Sequence, residues 1–253
     1  MPGESLAIMT ELAFMVREDW AQRGSAMQQS SATIRAWLGS SRPVWVVQKP
    51  EKFDRERPAD LETAAYISGS RSPGPVVGFD RLGEISNHDK AAHIAVVALH
   101  PYGDREGEKL RAAADDGRVG RIYVQVWSRN DLVRYWLEGV GALDLHTGQP
   151  APAPDPVQAR ACEAMVGEEY NGLSTGTGKA TVIHLLRAFH ADGYALDTTA
   201  WLRAYFAAGG SFRHAQSVKK FIGEMRDGKQ HQVQKRFKPE IVQILRDEVA
   251  RQE

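Results

Sequence analysis

The hexapeptide LHPYGD, residues 99–104, sets an imidazole, a phenol and a carboxylate just past an apolar run. His100, Tyr102 and Asp104 are the residue types of an acid–base pair, provided their surroundings shift their pKa values. A plainer reading has His100 ending a strand, Pro101-Tyr102-Gly103 turning, and Asp104 capping the next helix. Ser128, followed by Arg129, Asn130 and Asp131, closes a second apolar run in the same way. Ligands of an open parallel sheet bind beyond the carboxyl ends of its strands. His100, Asp104 and Ser128 are therefore the candidate catalytic residues.

Residues 171–183, NGLSTGTGKATVI, invite a phosphate-binding reading. A Walker A loop needs a glycine five positions before its Gly-Lys pair and a hydroxyl just after it, to bind magnesium. Leu173 and Ala180 stand at those two positions. What precedes them, MVGEEYNGL, reads as the end of a helix rather than a strand. The expectation is a glycine-hinged turn in which Ser174, Thr175 or Thr177 caps a helix over 182–190. NHDKAAH, residues 87–93, places His88, Asp89 and His93 close together. Two histidines five apart share no helical face, and spacing supplies no third ligand. The lone cysteine, Cys162, falls on an apolar helical stripe and reads as a structural thiol. Neither a metal nor a cofactor is expected.

A second kind of chemistry lies near the C-terminus. Lys+Arg and Asp+Glu balance at 32 each, yet residues 201–253 hold 11 of the former against 6 of the latter. Two helices joined at Gly209-Gly210-Ser211 have the turn of a helix-turn-helix unit. Tyr205 sits where such a unit usually has a small residue. The second helix would present Arg213, Gln216, Lys219 and Lys220, and the segment after it carries Lys229, Lys235, Arg236 and Lys238. Amides can reach base edges and cations can reach phosphates, so these eight are the candidate nucleic-acid-binding residues. The bland alternative is an ordinary helical hairpin with a solvated face.

The elements that must position these groups can be read from periodicity. Met9, Leu12, Val16 and Trp20 fall at helical spacing and predict a helical lead over 1–42. Strands are expected at 43–48, 75–79, 93–100, 121–127 and 142–146. Between them fall helices at LETAAYI, capped by Asp60, at 105–117, and after Asn130 or Asp131. Residues 43–147 thus predict a small Rossmann-like α/β domain with a mostly parallel sheet. Prolines at 150, 152, 154 and 156 mark a linker over 148–157. Residues 158–253 predict a helical domain, its first helix capped by Asp155 and its third by Asp197. The six tryptophans read as packing residues.

An apolar fraction of 42% and a charged fraction of 25% are ordinary for a globular chain, and no run reaches the length of a membrane span. One cysteine excludes a disulfide framework and fits the cytoplasm. The expected function is nucleic-acid contact by the helical domain, with the α/β domain as a sensing or partner module. The rival is an enzyme acting on a nucleotide or other phosphate-bearing small molecule in the α/β domain. A third reading is an interaction module without catalysis.

Overall fold

The computed structural model describes residues 10–18, 26–53, 58–69, 74–86 and 90–252. The chain divides into two compact units. One comprises residues 1–137 and 142–151, the other 138–141 and 152–253.

The first unit is a mostly parallel sheet with helices. Among the described residues its strands are β1 (Glu11–Val16), β2 (Arg42–Val47), β3 (Val76–Gly78), β4 (Ile94–Leu99), β5 (Arg121–Val126), β6 (Leu143–Asp144) and β7 (Gln149–Pro150). They lie in the order β3-β2-β4-β5-β1-β6-β7, all pairs parallel except the last. The helices are α1 (Ala26–Leu38), α2 (Pro58–Ser68), the short α3 (Leu82–Ser86), α4 (Asp104–Asp115) and α5 (Leu132–Gly139). Parallel neighbours need crossover connections, and these helices supply them.

The helical lead expected over residues 1–42 is corrected at Leu12 and Val16. Both belong to β1, and Met9 and Trp20 lie outside the described residues. A central strand buried on both faces needs no polar alternation, so its apolar run also satisfies helical spacing. Ala13, Phe14, Met15 and Val16 are consecutively buried, which a one-sided helix would not allow. The proline segment also opens differently from a free spacer, because Gln149 and Pro150 pair with β6 at the edge of the sheet. Proline is tolerated there because an edge position leaves its missing N–H unneeded.

Alternation divides the core between the two faces of the sheet. Ala13, Met15, Trp45, Val47, Val97, Leu99 and Tyr123 pack with Ile34 and Leu38 of α1 and Ala64 and Ile67 of α2. Phe14, Val46, Val96, Ala98 and Val124, one residue out of phase, are buried on the other face.

The second unit carries α6 (Pro156–Val166), α7 (Gly176–Ala191), α8 (Thr198–Ala207), α9 (Phe212–Arg226) and α10 (Ile241–Ala250). Asp155 and Asp197 cap as expected, accepting from Gln158 N at 2.8 Å and Ala200 N at 2.6 Å. Helix α7 starts six residues earlier than predicted, with Gly178-Lys179 inside its first turn and no side-chain cap at Thr175. Gly178 is needed for close approach, since a β-carbon there would overlap the Gly172 carbonyl. The opening Gly-Thr-Gly-Lys is thus a helix start packed against its own turn. Cys162 is fully buried, and burial pushes its thiol far above the ordinary value. Among the described residues, no helix is long and apolar enough to cross a membrane.

Candidate functional site at the carboxyl ends of β1, β4 and β5

Register brings three strand ends together. Leu99 pairs with Gln125 across β4 and β5, and Val16 pairs with Val126 across β1 and β5. His100, Trp127 and Arg17 therefore leave the sheet side by side. The chain passes from β2 outward to β3, then returns to β4 on the other side of β2. The reversal of strand order falls between β2 and β4, the place where open α/β sheets receive ligands.

His100 is the focus. Its amide extends the ladder by donating to Gln125 O at 2.9 Å. Its φ is +49°, and it is the one positive-φ residue other than glycine among those described. Holding a residue with a side chain in the left-handed region costs about 1–3 kcal/mol, which the surrounding structure must offset. The turn drives the imidazole inward, where it has no solvent exposure. There Nδ1 lies 2.6 Å from Oδ1 of Asp60. The carboxylate accepts the Nδ1 proton. Nε2 is buried and has no hydrogen-bond partner.

The partner of His100 differs from the one the sequence suggested. Asp104 begins α4 behind Gly103 and caps nothing with its side chain. Asp60 lies inside the first turn of α2 rather than at its cap, and is 3% exposed. A signal for it was present, because Asp60, Ala64 and Ile67 share one helical stripe, and the last two are core. A carboxylate on an apolar stripe implies a buried partner.

Two aromatic rings stand against the imidazole. Trp127 meets it edge-on with centroids 4.9 Å apart, and Tyr102 stacks at 6.2 Å. Trp45, Trp136 and Trp201 are buried as expected, but Trp127 is 41% exposed and is not a core residue. The Arg17 guanidinium lies over Trp127 at 4.6 Å from its centroid, and its Nη1 is buried without a hydrogen-bond partner. Ser128 lies in the turn that follows β5. Its amide donates to Asp131 Oδ2 at 2.9 Å, and its hydroxyl accepts from Asn130 N at 3.3 Å. The Arg129 amide and the Ser128 hydroxyl also hold the exposed Glu18 carboxyl below its usual range.

Against protein-family models, curated proteins and solved structures, the chain has no match. The reading of the site therefore rests on its geometry.

A cavity of about 620 Å³ lies at the opposite, amino ends of β2 and β4, rimmed by Arg42, Lys90 and His93. Those three residues are exposed to solvent, whereas the carboxyl ends hold the buried His100–Asp60 pair. His88 and Asp89 lie outside the described residues. Among the described ones, no group of three His, Cys, Asp or Glu is placed to hold a metal ion.

The eight basic-region candidates of the second unit separate by environment. Arg213, Gln216 and Lys220 are exposed on α9 at positions that share one helical stripe. Lys219 is half-buried beside that stripe. Lys229 pairs with Glu224, and Arg236 is held by Glu168 and Thr181. Lys235 and Lys238 are exposed. The segment after α9 is docked on α7, where His184 Nδ1 accepts from the amides of Arg236 at 2.8 Å and Phe237 at 3.2 Å. Burial, with Arg187 and Lys235 nearby, lowers the His184 pKa, in keeping with an acceptor nitrogen. Arg236 is thus tied to Glu168 and Thr181 while remaining exposed at the surface.

Proposed function

We propose that the first unit is an enzyme that moves a proton on a small molecule bound at the carboxyl ends of β1, β4 and β5. The observation that carries this is the His100–Asp60 pair. It has a buried imidazole in a strained backbone, one nitrogen fixed by a carboxylate and the other left with an open lone pair. A buried acceptor without a partner costs about 1–3 kcal/mol. Such a cost is expected where the nitrogen serves a bound substrate rather than the fold. Asp60 sets the tautomer, and Nε2 takes the proton as general base and returns it as general acid. Asn fits the left-handed backbone, so His100→Asn removes the base at little steric cost. Its expected effect is a loss of about 10²- to 10⁴-fold in kcat. The assay would follow hydrolysis of p-nitrophenyl acetate, p-nitrophenyl phosphate and bis(p-nitrophenyl) phosphate. Nitrogen-15 spectra of the histidines provide a check that needs no substrate. A neutral imidazole protonated at Nε2 rather than Nδ1 would sink the reading.

A second reading, nucleic-acid contact through α9 in a helix-turn-helix-like pair, is favoured by one observation. Arg213, Gln216 and Lys220 form an exposed cation–amide–cation stripe on a helix whose other face, Ala215, Val218 and Ile222, is core. Removing one cation that neutralises a phosphate makes the slope of log affinity against log salt shallower by about 0.9 on duplex DNA. The Arg213→Ala/Lys220→Ala variant is thus expected to bind generic duplex more weakly, with a slope shallower by about 2. If wild-type protein binds no duplex or single strand at low salt, this reading fails.

A further inference from the structure

We infer that the ligand at this site is a planar aromatic anion of the nucleoside monophosphate class. Its ring would stack on Trp127 with an edge toward Tyr102, and its phosphate would lie on Arg17. The inference rests on reading His100 as the proton-transfer group.

Single exposed aromatic side chains are normal on a protein surface. These two are placed differently. Tyr102 is 50% and Trp127 41% exposed, their centroids are 6.3 Å apart, and both flank the same buried imidazole. Both rings are partly exposed and, tilted 57° to one another, they cover the fully buried imidazole. A base or similar flat ring gains by stacking on such rings regardless of its edge pattern.

The charge comes from Arg17. Its position over Trp127 at 4.6 Å fixes the guanidinium, and its unpartnered Nη1 is an N–H donor kept out of water. A guanidinium held over a ring and short of an acceptor suits a phosphate or carboxylate, which can take two parallel hydrogen bonds from it. The neighbouring carboxylate, Glu18, is committed to the amide of Arg129 and the hydroxyl of Ser128. Arg17 and His100 both lie within 5 Å of the Trp127 ring centre, so one small ligand can span them. The unpartnered Nε2 of His100 is buried, so a hydroxyl or ring N–H of the same molecule reaches it only when the Tyr102 or Trp127 ring moves aside. Stacking surface, anion donor and proton acceptor converge on one ring-plus-phosphate shape.

The test is calorimetric titration of the full chain with AMP, GMP, CMP and UMP. Adenosine and inorganic phosphate serve as half-ligands. At least one nucleotide is expected to bind with a Kd near or below about 1 mM. Adenosine and phosphate are each expected to bind at least about tenfold more weakly than that nucleotide. Trp127→Ala should weaken it about 10- to 100-fold, and Trp127→Phe, which keeps a ring face, by no more than about threefold. Arg17→Gln should weaken the nucleotide about tenfold and leave adenosine unchanged. Trp127 and Arg17 are not core residues, so these variants are expected to fold, and circular dichroism checks that they do.

Binding of none of the four nucleotides overturns the inference. So does phosphate binding as tightly as the nucleotide, or binding unmoved by Trp127→Ala and Arg17→Gln. His100→Asn separates the two claims. A variant that still binds the nucleotide and hydrolyses the p-nitrophenyl ester as fast as wild type removes the proton-transfer role but leaves the ligand class standing. Absent binding alongside an Nδ1-protonated His100 does the reverse.

Discussion

His100→Ala is expected to destabilise the first unit by about 3–5 kcal/mol, the cost of breaking a buried pair from one side. Asp60, 3% exposed, loses the imidazole 2.6 Å from its carboxylate and must either stay charged in a poor environment or take up a proton. Asp60→Ala is expected to cost less, about 1–3 kcal/mol, because it orphans only a ring N–H donor. The double variant should fall short of the sum by about 1–3 kcal/mol, the coupling of groups in direct contact. His100→Gly separates backbone from side chain. At φ +49° a β-carbon costs about 1–2 kcal/mol, so glycine should be less damaging than alanine by that amount, although both lose the pair. The chain has two units, and one denaturation midpoint would mix them. Hydrogen exchange at the amides of β4 and β5 reads the first unit alone. Equal protection in the glycine and alanine variants would remove the argument for strain. Strictly additive single variants would remove the argument for a coupled pair.

The pair also shows what the sequence can reveal. The apolar runs of β2, β4 and β5 are legible because branched and aromatic residues bounded by glycine, proline and polar clusters have few other uses. The same runs place His100 and Ser128 at strand ends without any structure. Asp60 is harder, because its partner is 40 residues away and a helix-start Asp is so often a cap. β1 reads as helix for a reason internal to parallel sheets. Burial on both faces erases the alternation that marks a strand, and the unbroken apolar pentapeptide Leu12–Val16 fits either period. Trp127 resembles its buried counterparts because exposure at a strand end depends on what neighbouring elements leave uncovered, which no local pattern encodes. The basic region is legible as composition but not as surface. Glu168, 68 residues away in sequence, and Glu224 pair with Arg236 and Lys229 at the surface, and the first of these pairings has no local signal.

Gly210→Ala is expected to cost the second unit about 3 kcal/mol, at the upper end of what overpacking usually costs. A β-carbon at Gly210 would overlap the ring of Tyr205. That ring has little room to yield, being fully buried, packed edge-on against Phe206, and held at its hydroxyl by Glu169. Glu169 also accepts from the Ser211 amide at 2.9 Å, so one carboxylate ties the end of α8 to the start of α9. Here the residue that fits a helix-turn-helix pattern poorly finds its explanation. Where the usual small residue would let the helices approach, this turn accommodates a tyrosine by giving up a side chain at position 210. The prediction therefore carries its own control. Tyr205→Leu by itself loses ring packing and leaves the Glu169 carboxylate short of a donor, and is expected to destabilise. Combined with Gly210→Ala it removes the overlap, so the double variant should be more stable than the sum of the two single losses by at least about 1 kcal/mol. Amide protection in α8 and α9 provides the measurement. If Gly210→Ala leaves that protection unchanged, the Tyr205–Gly210 contact does not set the geometry of the turn. The exposed stripe of Arg213, Gln216 and Lys220 would then be held in place by the apolar face of α9 alone.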